Sequence, residues 1–517
     1  MKLNYKNLSA LSLAFLATAF TGCSEDTMDK INTDFNHTQE VSAEFTLADV
    51  ETASAFSITG GDLSTYASVY VEQETGVHNQ LYKAQTRDGE PTKSSTYNNS
   101  WLNVYSNIKN CRIMVEKCNP ESGNNLIRGI SEVLLAYNSA ILTDMWGDAP
   151  YSEAAKEASP VIENMSPKID TQESIYTTIL SSLDAAITDL QVADQGKNPS
   201  THDFIYNGND AKWLKFAYGL KARYTMRLLG RSSDVNGDLQ KVIDYCDKSF
   251  SSASEEAAFS EYDATNLNPT FDFEWSRDGI AASTSMADKL VARNDPRLTR
   301  AYYGGGSWGH ETIAEGTTNF PSLNNTVEAQ YVYTYSTYMF AQTAPTLLLS
   351  YHEVLFLKAE AQARLGKKAE ALETLKAAVV AGIVNSEKSV ETAATAPDVM
   401  KYGGLAPNAD PITTEQAETW FDGDIAPLFD ADPIKEVMIQ KYISQWGASG
   451  EALEAYNDIR RAKGMGTEYV SLDNTGKFPL RFTYGSSDTT TNPFIKDIFG
   501  DGTYVYSNPV WWAGGSN

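Results

Sequence analysis

"EVLFLKAEAQARLGKKAEALETLKAAVVAGI", from Glu353 to Ile383, decides the fold class. Apolar and small residues return every three or four positions on both sides of Gly366-Lys367-Lys368, so the stretch predicts two helices joined by a short turn. The small side chains of Ala359, Ala371 and Ala378 let two helix backbones approach closely, and Leu375 fills the space beside them. Each helix carries one apolar stripe, which must be covered by another helix.

The same pattern recurs on both sides of this pair. "NNSWLNVYSNIKNCRIMVEKC" puts Trp101, Val104 or Tyr105, Ile108, Cys111 or Arg112, and Val115 on one face, after Asn and Ser suited to capping. "NNLIRGISEVLLAYNSAILTDMWGDAP" is a second long helix, ended by Gly147 and Pro150. "TQESIYTTILSSLDAAITDL" carries Ile175, Ile179, Leu183, Ile187 and Leu190 on one stripe, with Thr171 and Ser174 near its start; "NDAKWLKFAYGLKARYTMRLLG" closes at Gly230, and "GEALEAYNDIRRAKG" repeats the style. The fold class is therefore mainly α, built of paired antiparallel helices, and the 353–383 pair is spaced like a tetratricopeptide repeat. By contrast, 251–345 and 386–430 are rich in Gly, Ser, Thr, Asn and Asp with no sustained period. They are expected to be loops and short strands inserted among the helices, where binding surfaces concentrate.

The N-terminus has a separate logic. Lys2 and Lys6 precede an apolar run from Leu8 to Phe20, too short to anchor stably across a bilayer, and the run ends "FTGC" at Cys23. This resembles a bacterial lipobox, which implies a signal peptide over 1–22 and lipidation of Cys23, whose acyl chains would hold the protein to a membrane. Ser24-Glu25-Asp26 resembles the acidic signal that exports Bacteroidetes lipoproteins to the outer face of the outer membrane. Residues 23–43 are polar and expected to be a flexible tether.

The chain has 517 residues, 67 acids against 41 bases and a net charge of −26. That surface repels phosphate backbones, no long basic cluster offsets it, and nucleic acid is excluded as a partner. Cys111, Cys118 and Cys246 make an odd set, and the first two lie about 10 Å apart along one helix, beyond disulfide reach; they are expected in the core.

Motifs for chemistry are missing. There is no GxSxG, HExxH, GxxxxGK[ST], or GxGxxG after a strand, and the five histidines are scattered. "SSDVNGDLQKVIDY" has Asp234, Asn236 and Asp238 at alternating positions but fails the calcium-loop spacing, so a polar interhelical turn is expected. Asp422/Asp424 and Asp430/Asp432 are expected on a solvated loop. Neither metal, cofactor nor enzymatic activity is expected. Aromatics suggest binding instead: Tyr numbers 28 and Trp 9, and flat rings stack on the C–H faces of sugars. Trp101, Trp146 and Trp213 sit in helical patterns and are expected in the core. The ligand-binding candidates are Trp275 and Arg277, with Asp278 beside them, and Tyr302, Tyr303 and Trp308 in a glycine-rich loop; Tyr82, Arg87 and Tyr97 rank second.

Finally, "WGDAPYSEA", "YNGNDAKWLKFAYGLKARYTMR", "NDPRL", "SYHEVLFLKAEAQAR" and "INTDFNH" resemble the SusD/RagB family of outer-membrane nutrient-binding lipoproteins, in the expected order over nearly the whole mature chain. The resemblance implies one SusD-like domain over 44–517, with a tetratricopeptide-like scaffold over about 96–250 and 346–465 carrying an irregular, loop-rich ligand-binding half. It also implies a cell-surface lipoprotein that captures oligosaccharide or peptide and delivers it to a SusC-like TonB-dependent outer-membrane barrel. A protein-binding tetratricopeptide-like adaptor and a surface glycoside hydrolase are the alternatives; paired carboxylates for the latter cannot be measured from sequence.

Overall fold

The computed structural model describes residues 41–156, 164–192, 198–303, 334–401, 404–405 and 410–516. Cys23, Trp308 and the His310-Glu311 pair lie outside them. The chain from Ala43 onward forms one unit.

Its helices in chain order are α1 (Ala43–Thr52), α2 (Asp62–Tyr70), α3 (Asn79–Thr86), α4 (Asn98–Lys117), α5 (Asn125–Trp146), α6 (Gln172–Leu190), α7 (Asp210–Arg227), α8 (Val235–Cys246), α9 (Pro269–Arg277), α10 (Thr284–Val291), α11 (Leu298–Ala301), α12 (Tyr351–Arg364), α13 (Lys368–Ala394), α14 (Pro397–Met400), α15 (Thr414–Trp420), α16 (Ala426–Ala431), α17 (Pro433–Ser444), α18 (Ala452–Gly464), α19 (Ser486–Thr491) and α20 (Pro493–Phe499). Side chains cap several starts, though not that of α4, whose expected capping residues Asn98, Asn99 and Ser100 lie inside the helix behind an uncapped Tyr97. Thr171 accepts the Ser174 N–H, Asn209 that of Lys212 and Ser350 that of Glu353, each supplying an acceptor to an otherwise orphaned donor. Asp234 caps α8 by accepting from Gly237, so the calcium-like stretch is an interhelical turn. The turn between α12 and α13 falls at Gly366, whose φ of +75° is open to glycine at no steric cost.

Packing follows chain order. α4 lies on α5, α5 on α6, α6 on α7 and α7 on α8; α8 then packs on α12, which pairs with α13, and α17 covers both. A stack of helical hairpins is thus interrupted after α8 and resumed at α12. At the join, Gly219 of α7 meets the chain entering α12: a Cβ there would stand 2.3 Å from Leu349 Cδ2 and 2.7 Å from Ser249 Oγ. Gly219→Ala is expected to cost about 1–3 kcal/mol, read as a lower urea midpoint at unchanged slope.

The stretch between α8 and α12 holds most of the strands, all short: β4 (Ala257–Phe259), β5 (Ile280–Ala282), β6 (Tyr302–Tyr303), β7 (Tyr335–Ser336) and β8 (Thr346–Leu349); β1 (Glu74–Gly76) precedes them, as do β2 (Ala149–Pro150) and β3 (Ile169–Asp170). β1 pairs antiparallel with β5, Glu74 opposite Ala282, and β6 with β7, Tyr302 opposite Ser336. The Ala282 N–H donates to Thr334 O at 2.8 Å and joins the two pairs.

Two expectations change. Residues 386–430 are largely helical where described: α13 runs unbroken to Ala394, followed by α14, α15 and α16. Ser386, Ser389, Val390 and Ala393 form its buried stripe, and two serines in that stripe hide the apolar period. The acid pairs there also lie in helical segments or at caps: Asp422 pairs with Lys376 and Asp430 with Lys368, Asp424 accepts from Asn294, and Asp432 caps α17. Within 251–345, Trp275 lies in helix α9 rather than in a loop. Asn268 caps that helix through the Thr270 and Phe271 N–H groups, with Pro269 in the first turn.

Cys111, Cys118 and Cys246 are buried, and Trp101, Trp146 and Trp213 are core residues. Trp101 and Trp146 meet edge to face at 5.2 Å, and the Trp146 indole donates to Thr483 O, fixing the C-terminal segment against α5. Charges are buried too. Arg223 of α7 forks onto Glu353 of α12, Arg227 pairs with Glu454 of α18, Lys441 of α17 lies 2.7 Å from Asp458, and Arg461 binds Glu360 through two bonds of 2.7 Å. His352 faces Glu451 at 2.9 Å. The adjacent His352 and Glu353 therefore serve two separate buried pairs.

Candidate functional site

The strands beside α9 gather the sequence candidates unequally. α9 ends at Arg277, and Asp278 turns the chain into β5 with a φ of +48°. Trp275 is half-buried and stacks on Phe271 at 5.2 Å with ring planes 18° apart. Arg277 is exposed, its guanidinium over the Phe273 ring at 5.7 Å. From β7, the half-buried Tyr335 donates its hydroxyl to Asp278 Oδ1 at 3.2 Å. Asp62 of α2 faces the same corner; burial raises its pKa and Arg277 opposes the rise. A flat indole, a cation, a carboxylate and a phenol thus lie at the end of α9 and on β7, with Arg277 two positions from Trp275 and so on another side of the helix. These are the groups that stack on a sugar ring and hydrogen-bond its hydroxyls.

Other candidates are placed elsewhere or enclosed. Tyr97 is 1% exposed, stacked on Phe482 at 4.1 Å and hydrogen-bonded to the Tyr70 hydroxyl, so its ring cannot reach a ligand. Arg87 terminates α3: it donates to Ala84 O at 2.7 Å, and its guanidinium lies over the Tyr70 ring at 4.9 Å. That makes it a capping and packing residue. Tyr302 is 0% exposed and packs on Trp446 at 5.2 Å, which removes it from the ligand face. Tyr303 is placed by its backbone alone, opposite Tyr335 in the β6–β7 pair. Tyr82 is half-buried on α3, which packs on β1.

Sequence reasoning missed Tyr335 and Glu274. The first was visible as alternating aromatics in "YVYTYSTYMF"; the second as two carboxylates four apart, Glu274 and Asp278, on one helical face. Among the described residues no group of three His, Cys, Asp or Glu side chains is arranged to hold a metal ion, and no helix is long and apolar enough to cross a membrane.

Residues 36–484 match the SusD-like family described as starch-binding and associating with the outer membrane. The chain belongs to this SusD-like family. Among solved structures, a SusD/RagB family protein of Bacteroides thetaiotaomicron is 48% identical, with a TM-score of 0.87, over 92% of this chain and 100% of that one. A chitin-binding protein at 21% identity and a SusD homolog of Bacteroides fragilis at 19% share the fold, each with a TM-score of 0.69 over 92% of this chain and 100% of the other. No curated protein matches. The mainly helical SusD-like scaffold and its strand-bearing insertion are therefore those of a family, and the Trp275 corner belongs to that insertion.

Proposed function

We propose that this SusD-like protein is a non-catalytic, cell-surface lipoprotein that captures an oligosaccharide and passes it to a SusC-like TonB-dependent barrel in the outer membrane. Family membership supports carbohydrate as the ligand class and the outer membrane as the location. The observation that carries the site is the half-buried Trp275 on α9, with the Tyr335–Asp278 hydrogen bond at the end of the same helix. The lipid anchor rests on the lipobox-like "FTGC" ending at Cys23.

Three measurements test this. The purified domain is titrated calorimetrically with maltoheptaose, chitohexaose and a peptide mixture, and heat of binding is expected with a glycan. The glycan is recovered at unchanged mass after prolonged incubation; shortened chains would make the protein a hydrolase. The full lipoprotein, isolated in detergent from its native membrane, brings down a barrel receptor and carries fatty acid on Cys23. A chain that binds only other proteins, with no glycan or peptide heat, would be the adaptor instead.

A further inference from the structure

The chain entering α18 carries a buried carboxylate whose charge the scaffold has to balance. Glu451 is 2% exposed and stands immediately before α18. Its Oε1 accepts the Ser350 hydroxyl at 2.6 Å, its Oε2 accepts the Ser449 hydroxyl at 3.2 Å, and His352 Nε2 lies 2.9 Å from the same Oε2. Two hydroxyls and a ring N–H directed at one carboxyl describe an ionised group, which accepts and has no proton to give. A carboxylate shut away from water needs a cation beside it. Among the described residues the ion-pair partner of Glu451 is His352, itself buried at the start of α12. Arg223 of α7 acts on Glu451 through space, but its hydrogen bonds go to Glu353 and to Leu348 O. The imidazole meets the requirement when it carries both ring protons.

The surrounding charges agree. Burial lowers the His352 pKa, but Glu451, then Glu256 and Glu353, outweigh it and leave the ring above its ordinary 6.5. Glu256 stands just before β4 and accepts the Tyr351 N–H at 3.2 Å. The nearby cations face acids instead of the ring: Arg223 is forked onto Glu353, Lys388 of α13 acts on Glu256, and Lys441 of α17 is paired with Asp458.

Hydrogen bonds carry this pair to the helix that bears Trp275. Ser449, whose hydroxyl is on Glu451, accepts the Leu347 N–H of β8 at its backbone O, at 2.8 Å. The adjacent Ala448 O accepts from Asn268 Nδ2 at 3.1 Å, and Ala344 O takes a second bond from the same nitrogen at 2.8 Å. Asn268 is fully buried, and the oxygen of that amide caps α9 through the Thr270 and Phe271 N–H groups. Residues 448 and 449, held by Glu451, thus seat the amide on which α9 starts.

We propose that His352 is a positioning residue, a buried imidazolium that holds Glu451 and with it the 448–449 backbone against Asn268, so that α9 and its Trp275 loosen at alkaline pH. The effect on oligosaccharide capture rests on the proposed binding function; the charge on His352 does not.

The sign follows from linkage. A base whose folded pKa lies above 6.5 contributes stability that is fully present below 6.5 and is lost as pH rises through the folded value. In the full chain, isotope-labelled at histidine nitrogen, the resonances missing from His352→Gln identify His352. They are expected to keep imidazolium shifts at pH 6.5 and to titrate above it; neutral shifts at pH 6.5 overturn the charge. Hydrogen exchange of the native chain needs no variant. Corrected for intrinsic base catalysis, the Leu347, Thr270 and Phe271 amides are expected to quicken by up to about tenfold per pH unit as His352 titrates, and constancy at Thr270 and Phe271 overturns the hold on α9. With maltoheptaose or chitohexaose, native affinity is expected to fall between pH 6.5 and 9 by about fivefold or more relative to His352→Gln, which has no charge to lose there; parallel profiles overturn the coupling to capture. Absence of glycan binding at every pH removes the binding function and that coupling together, while the histidine resonances and the exchange still decide the charge and the hold on α9.

Discussion

Trp275→Ala is expected to weaken oligosaccharide binding at least tenfold while the fold stays intact. A central aromatic anchor typically contributes about 2 kcal/mol or more when truncated, which is roughly thirtyfold in affinity. Trp275 meets the requirements for such an anchor: it is held in one orientation by its stack on Phe271, yet it is only half-buried. Trp275→Phe keeps a smaller ring and is expected to fall between the native protein and the alanine variant. Tyr97→Phe is the control. It removes a hydroxyl bonded only inside the core, so it changes stability and leaves affinity alone. Calorimetric titration of all three with the same glycan reads the difference. Equal affinities for Trp275→Ala and the native protein would move the ligand site away from α9.

The scaffold was legible in sequence because long amphipathic helices announce themselves by period. Caps were a weaker signal: Thr171 stands at the start of its stripe and caps α6, whereas the Asn and Ser before Trp101 lie inside α4, and Asn209 and Ser350 cap α7 and α12 although sequence reasoning does not single them out. The site was less legible because the same residue type serves burial and binding. Tyr97, Tyr302 and Trp275 look alike as aromatics near polar neighbours. What separates them is whether distant chain segments close over the ring: Phe482 does so for Tyr97, and Trp446 packs on Tyr302. Local composition carries no trace of those long-range contacts. The extended α13 failed for the opposite reason. Its serines are local signals of a loop, overridden by burial against neighbouring elements, where Ser386 hydrogen-bonds the Tyr338 hydroxyl.

Arg223→Ala is expected to destabilise the chain more than any surface change, by about 3–5 kcal/mol. Arg223 is 4% exposed and Glu353 is fully covered, so deleting the guanidinium leaves a carboxylate without water or its hydrogen-bonded cation, with only Lys441 acting on it through space. Nearby Glu454, 3.7 Å from Arg223, retains Arg227, which cannot serve both acids as well. The loss should depend on pH in a diagnostic direction. Once uncompensated, Glu353 takes up a proton in the folded state above its unfolded pKa, so the variant regains stability as pH falls from 7 toward 5. Urea unfolding at both pH values is expected to show a smaller gap from the native protein at pH 5. A gap equal at the two would mean that lost packing, rather than an orphaned charge, sets the cost. The location gives this pair its leverage, because Arg223 stands on α7 before the insertion and Glu353 on α12 after it. The ion pair therefore closes the helical stack across the stretch that carries Trp275, and loosening it should also soften the platform on which that ring is held.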